Sequence, residues 1–170
     1  MNQWRSLSTA FVCVSLACMS AGAAELSKGT PDWKSAGPMA FGPDGLLFLA
    51  DTQGAAVFAV DTGDRRPDTA SKALKVDAIN EKLAALLGTS TDRIAINELA
   101  VNPASGRVYL TVSRGTGPAA KPVLVRVDRS GQLEIVSLEN VPFSRATLPN
   151  PTTGSAPRSS RSEAITDLAF

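Results

Sequence analysis

Two carboxylates in the chain stand in matching places. Glu98 directly precedes Leu99-Ala100, and Asp167 directly precedes Leu168-Ala169. Together they could offer oxygen donors to a hard divalent cation such as calcium, which collects about six to eight oxygens. Asn97 adds an amide oxygen, although neighbours along a strand point to opposite faces. The competing reading is that both carboxylates are solvated or bonded to nearby backbone. Asp51 and Asp61 close apolar runs, the usual place for a turn aspartate that bonds its own backbone. Arg114-Gly115-Thr116-Gly117 lacks the Lys-Ser/Thr ending and following helix of a phosphate loop, and reads as a strand connection. Trp33 is read as packing, or as marking a binding surface.

Other chemistry is excluded by composition. The sequence has no histidine, and its two cysteines, Cys13 and Cys18, both lie in the apolar N-terminal stretch. Histidine triads, imidazole zinc sites and, after residue 24, thiol catalysis and disulfides are unavailable. Arg5 is the one charge before Glu25. Of 17 basic and 16 acidic side chains, the part from Glu25 onward therefore keeps 16 of each. A neutral surface has no overall field to gather nucleic acid or anionic lipid, and neither is expected as a partner.

The elements that would position these groups repeat. Met39-Ala40-Phe41-Gly42-Pro43-Asp44-Gly45-Leu46-Leu47-Phe48-Leu49 is answered by Leu99-Ala100-Val101-Asn102-Pro103-Ala104-Ser105-Gly106-Arg107-Val108-Tyr109-Leu110. Each is a short apolar strand, a Pro/Gly turn and a β-rich strand, and the second turn is one residue longer. Proline presets φ for the turn, and glycine supplies the positive φ that ends it. Further strands follow each hairpin. The second unit has four, at about 95–102, 107–113, 122–128 and 132–138. The first has three, with a weaker fourth near Lys72–Asp77. A third copy opens at Leu168-Ala169-Phe170.

Tandem four-stranded meanders, apolar on both faces, predict an all-β chain: a β-propeller fragment of two blades and the start of a third, with one short inserted helix. A β-sandwich or barrel of the same hairpins is the alternative. The helix is expected between Asp77 and Gly88, where Ile79, Leu83, Leu86 and Leu87 form an apolar stripe, Asp77 caps the start and Gly88 the end. The expected organisation is 1–24 signal peptide, 25–35 lead-in, 36–77 first blade, 78–94 helical insertion, 95–138 second blade, 139–163 Pro/Ser/Thr-rich loop and 164–170 opening strand. Arg145, Arg158 and Arg161 in that loop read as solvated charges. Two blades cannot close a ring, so a fragment of a longer protein is expected.

The first 24 residues carry the three parts of an export signal. Arg5 is the basic region, and Leu7–Met19 an apolar run too short to span a bilayer of ~30 Å. Ala21-Gly22-Ala23 is a cleavage site, with cutting after Ala23 or Ala24. The expected location is periplasmic or secreted, with no membrane contact after removal. A buried N-terminal helix is the alternative.

On Phe41, Pro43, Asp44, Gly45, Phe48, Ala50 and Asp51, the stretch Gly37–Asp61 resembles blades of NHL-repeat and regucalcin/gluconolactonase-like propellers. The second unit keeps Asn102-Pro103 and Gly106 but has Thr111-Val112 where the first has Ala-Asp. The resemblance implies the propeller fold. It also implies, for the lactonase branch, a divalent-metal hydrolase with oxygen ligands at the central channel. The matching positions here are Pro38, Glu98 and Asp167, and Pro38 departs from the acidic residue that branch often has. The function expected is therefore an exported binding module for a small molecule or a protein. A lactonase-like hydrolase using a cation such as calcium, and an extracytoplasmic scaffold, are the alternatives.

Overall fold

The computed structural model describes residues 25–68, 73–149 and 165–169. Its strands are β1 (Ser27–Gly29), β2 (Met39–Phe41), β3 (Leu46–Asp51), β4 (Ala56–Asp61), β5 (Ile94–Val101), β6 (Val108–Arg114), β7 (Lys121–Val127), β8 (Leu133–Ile135) and β9 (Val141–Thr147). One helix, α1 (Ile79–Leu87), lies between β4 and β5. The strands form two antiparallel sheets, one ordered β1-β9-β4-β3-β2 and the other β5-β6-β7-β8. The all-β expectation holds, and the second sheet is a simple meander. Its first three strands begin and end within one residue of the predicted bounds, while β8 covers three residues of the stretch 132–138.

The repeated turns explain the hairpins. Gly42 N–H donates to Leu46 O at 2.8 Å, and Asn102 N–H to Arg107 O at 2.9 Å. Asp44 and Gly45 take φ of 59° and 74°, and Gly106 takes 73°. The extra residue of the second turn is accommodated by Asn102, whose Oδ1 accepts Ala104 N–H at 2.9 Å. The two turns also touch. A Cβ on Gly45 would lie 3.2 Å from Asn102 Oδ1 and 3.4 Å from the Ala104 Cβ. Glycine there satisfies a left-handed backbone and a close approach at once.

The sheets stack through alternate residues. Leu47, Leu49, Ala56, Phe58 and Val60 of the first sheet bury against Tyr109 and Leu124 of the second, joined by Met39. Phe41 meets Tyr109 edge-on, with ring centroids 5.0 Å apart. On the far face of the second sheet, Leu110, Val112, Val125 and Val127 bury against Leu83 and Leu87 of α1. Every residue of both cores lies after Glu25.

Four expectations need correction. The fourth strand of the first unit is not at Lys72–Asp77. Lys72 is outside the described residues, and 73–77 form no strand; Leu74 and Val76 instead pack on the α1 core. The place beside β4 is filled by β9, paired from Ala56↔Thr147 to Val60↔Phe143, within the stretch read as loop. Phe143 continues the apolar face next to Phe58, 6.2 Å between ring centroids, which 73–77 could not do once committed to α1. Arg145 is thus a strand residue whose guanidinium lies 5.6 Å from the Phe58 ring centroid. Residues 165–169 are not a strand, and Ile165 is buried. Finally, α1 is capped by Ala78 in a left-handed conformation, and Asp77 pairs instead with Lys75 at 3.2 Å. Gly88 ends the helix as expected, at φ 62° with N–H bonds back to Ala84 and Ala85.

Candidate binding surfaces

The two carboxylates singled out for a cation each bond the next residue in the chain. Glu98 Oε1 accepts Leu99 N–H at 2.9 Å, and Asp167 Oδ1 accepts Leu168 N–H at 2.8 Å. Glu98 follows a bulge in β5, where the register with β6 shifts between Ile96 and Glu98. Asn97 is the extra residue there, and its Nδ2 donates to Ser113 Oγ at 2.9 Å rather than facing a shared ligand with Glu98. Among the described residues, no three Asp or Glu side chains gather closely enough to hold a metal ion. The stretch holding Arg5, Leu7–Met19, Ala23 and Ala24 lies outside the described residues, as do Arg158 and Arg161.

Asp51 and Asp61 hold turns, and Asp51 does more. It has no solvent exposure. Its Oδ1 accepts Gly54 N–H at 2.9 Å and Ser35 Oγ–H at 2.7 Å, and its Oδ2 accepts Lys34 N–H at 3.1 Å. It therefore pins the lead-in to the end of β3. Trp33 beside it donates Nε1–H to Ala50 O at 3.4 Å and packs on the first core. Asp61 accepts Gly63 N–H at 2.8 Å and both guanidinium branches of Arg65 at 2.9 and 3.0 Å. The Arg65 hydrogen bond is the main force holding its carboxyl below the ordinary range. The Gly115–Gly117 turn joins β6 to β7, with Gly115 N–H on Arg93 O at 2.7 Å.

The strongest polar cluster is one the sequence reading passed over. Asp64, in the loop after β4, is 6% exposed. Its Oδ2 accepts Tyr109 O–H at 2.8 Å and Ser105 Oγ–H at 2.9 Å, and its Oδ1 accepts the Arg107 guanidinium. Asn102 Nδ2 donates to its carbonyl at 2.8 Å. Arg126 stands 3.8 Å from Oδ2 and pairs with Glu134 at 2.8 Å. Burial alone would raise the Asp64 carboxyl. The bonds from Tyr109 and Ser105 and the charge of Arg107 outweigh it and hold the carboxyl below the usual carboxylate range. Burial also raises the Tyr109 hydroxyl, which keeps it a donor. Burial works against charge on Arg126, and its bonds to Glu134 and Tyr109 outweigh that and raise it. Asp64 is carried by the first unit and bonded to the turn and second strand of the next, so the cluster is an ionic clamp between sheets. A buried charge is tolerated only with such pairing.

A different surface is concave and mostly apolar. On the face of the first sheet turned away from the second, Leu46 and Phe48 of β3, Val57 and Ala59 of β4, and Ser144, Arg145 and Ala146 of β9 line a trough of about 540 Å³, with Leu26 at its edge. The register places these side chains on one face: Phe48 opposite Ala59, Val57 opposite Ala146 and Ala59 opposite Ser144. Every lining residue belongs to the first sheet except Leu26, just before β1. The lining includes no carboxylate. Its volume lies in the range of small-molecule sites, about 300–1,000 Å³. Comparison of the chain with protein-family models, with curated proteins and with solved structures finds no match.

Proposed function

We propose that the chain is part of an exported propeller-type binding module whose ligand, an apolar small molecule or a partner's apolar segment, is taken in the trough on the first sheet. The observation that carries the reading is the trough itself: a concave apolar face of suitable volume, walled by three strands that share one register. Propeller stacking is supported by the repeat. Phe48 in the first unit corresponds to Tyr109 in the second, and Tyr109 is the residue that the second sheet turns onto the first. The trough face is thus the counterpart of a face built to be covered. The contact between the equivalent turns at Gly45 and Asn102, and the packing of β2 beside β5, fit blades set side by side around inner strands.

The test uses the chain beginning at Glu25, which contains both cores. Anilinonaphthalene sulfonate should bind it with saturable fluorescence while the protein remains natively folded by near-ultraviolet circular dichroism. Val57→Asp or Ala59→Asp should weaken binding at least tenfold without changing that spectrum. A native protein that does not bind the dye, or variants that bind it unchanged, would refute the trough as a ligand site.

A further inference from the structure

We propose that a cleft beside the ionic clamp is a second binding site, for a compact oxyanion of two or more charges: a phosphorylated or polycarboxylate small molecule. The cleft shares no lining residue with the trough, so the inference stands whatever the trough binds.

The first argument is what lines the cleft. Arg65 and Arg66 of the loop after β4, Arg107 before β6 and Arg126 of β7 border one space of about 320 Å³, with Thr62, Gly63 and Asp64. Four guanidiniums thus meet a single carboxylate in the lining, and that carboxylate is buried with both oxygens already accepting bonds. Gly63 presents no side chain, and a Cβ added there would meet nothing within 4 Å, so the loop leaves the space open. The second argument is how the cations are held. Asp64 bonds Arg107, Glu134 bonds Arg126 at 2.8 Å, and Asp61 takes both branches of Arg65 at 2.9 and 3.0 Å. Three guanidiniums are therefore oriented before a ligand arrives, which lowers the cost of ordering them on binding. A guanidinium has more N–H donors than these bonds use. Arg66 is exposed and forms no hydrogen bond or ion pair among the described residues. The third argument is chemistry. Planar guanidinium forks match the paired oxygens of phosphate and carboxylate groups. Asp61, Asp68 and Glu134 also stand around the cleft, so recognition comes from directed donors at close range and not from net charge.

Titration calorimetry of the full chain tests the site, with pyrophosphate and citrate as probes and acetate as the monovalent control. At least one multivalent probe should bind at least about tenfold more tightly than acetate. Arg66→Gln should weaken that binding at least about fivefold, whereas Lys82→Gln, which removes an exposed cation on α1, should leave it unchanged. Tighter binding of pyrophosphate assigns a phosphorylated ligand, and tighter binding of citrate a polycarboxylate. A second readout needs no variant. The bound probe should slow phenylglyoxal modification of Arg65 and Arg66, followed by peptide mass spectrometry, and leave exposed Arg93 reacting as before. Failure of both probes to bind, equal binding by Arg66→Gln, equal weakening by Lys82→Gln, or no protection of Arg65 and Arg66 would overturn the proposal.

Discussion

The two outer faces of the stack differ in how they are covered more than in composition. On the second sheet, Leu110, Val112, Val125 and Val127 are sealed by α1, and Leu83 of that helix has no solvent exposure. On the first sheet, Leu46, Phe48, Val57 and Ala59 are half-buried around a trough. Both faces are apolar because both belong to sheets that bury residues on two sides. The helix was inserted beside one unit only. The two outer faces thus differ because a helix covers one and not the other. Cover over the second sheet is itself partial: Leu99 and Val101 of β5, in register with Leu110 and Val108, remain 56% and 53% exposed.

The face the sheets share is the reference for this comparison, and its clamp should give the largest effect. Asp64→Ala leaves Arg107 and the Tyr109 hydroxyl without their buried partner. It should cost about 3–5 kcal/mol in urea unfolding, as expected for half of a buried pair. A loss below about 1 kcal/mol would show that the sheets do not depend on the clamp. Next is the covered face: Leu83→Ala should cost about 2–5 kcal/mol through the cavity left under α1. It should also increase dye binding, by opening a second apolar face. The trough face should respond least to truncation, with Val57→Ala costing less than about 1 kcal/mol, since its side chain is half-buried. If Val57→Ala and Leu83→Ala cost the same, the two faces are equally sealed and the contrast fails.

Acid should act through the clamp before either outer face. The Asp64 carboxyl is held below its unfolded value, so its contribution is complete above about pH 4. That contribution is lost as pH falls from there through the lower folded value. Melting temperature followed from pH 7 to 3 should therefore drop below about pH 4, and the drop should be smaller in Asp64→Asn. The smallest effect belongs to the exposed Asp61–Arg65 pair, where Arg65→Ala should change stability by less than about 1 kcal/mol.

What the sequence revealed and what it concealed divide along contact distance. The β6 and β7 strands, the two Pro/Gly turns and the Gly88 cap were readable because their signals are local. Each turn's glycine needs its positive φ whatever surrounds it. The role of β9 was hidden, because a stretch containing Pro142, Ser144 and Arg145 looks like a loop until Phe58 and Val60 are brought beside it. Asp64 was hidden for the same reason. Nothing local in Thr62-Gly63-Asp64-Arg65-Arg66 marks the acid, and only Ser105, Arg107 and Tyr109, far along the chain, bury and pair it. For Glu98 and Asp167 the matching places in the sequence do correspond to matching behaviour, since each carboxylate bonds the following amide. Calcium that raised the melting temperature, and ceased to do so in a Glu98→Ala, Asp167→Ala variant, would revive them as a cation site.

The insertion of β9 between β1 and β4 also sets an order of assembly. The early sheet cannot be completed until a strand made after the whole of the later sheet returns to it. Some 80 residues separate Asp61 from Val141. Until that strand arrives, the half-built sheet keeps its β4 edge unpaired. The sheet that begins first along the chain therefore closes last.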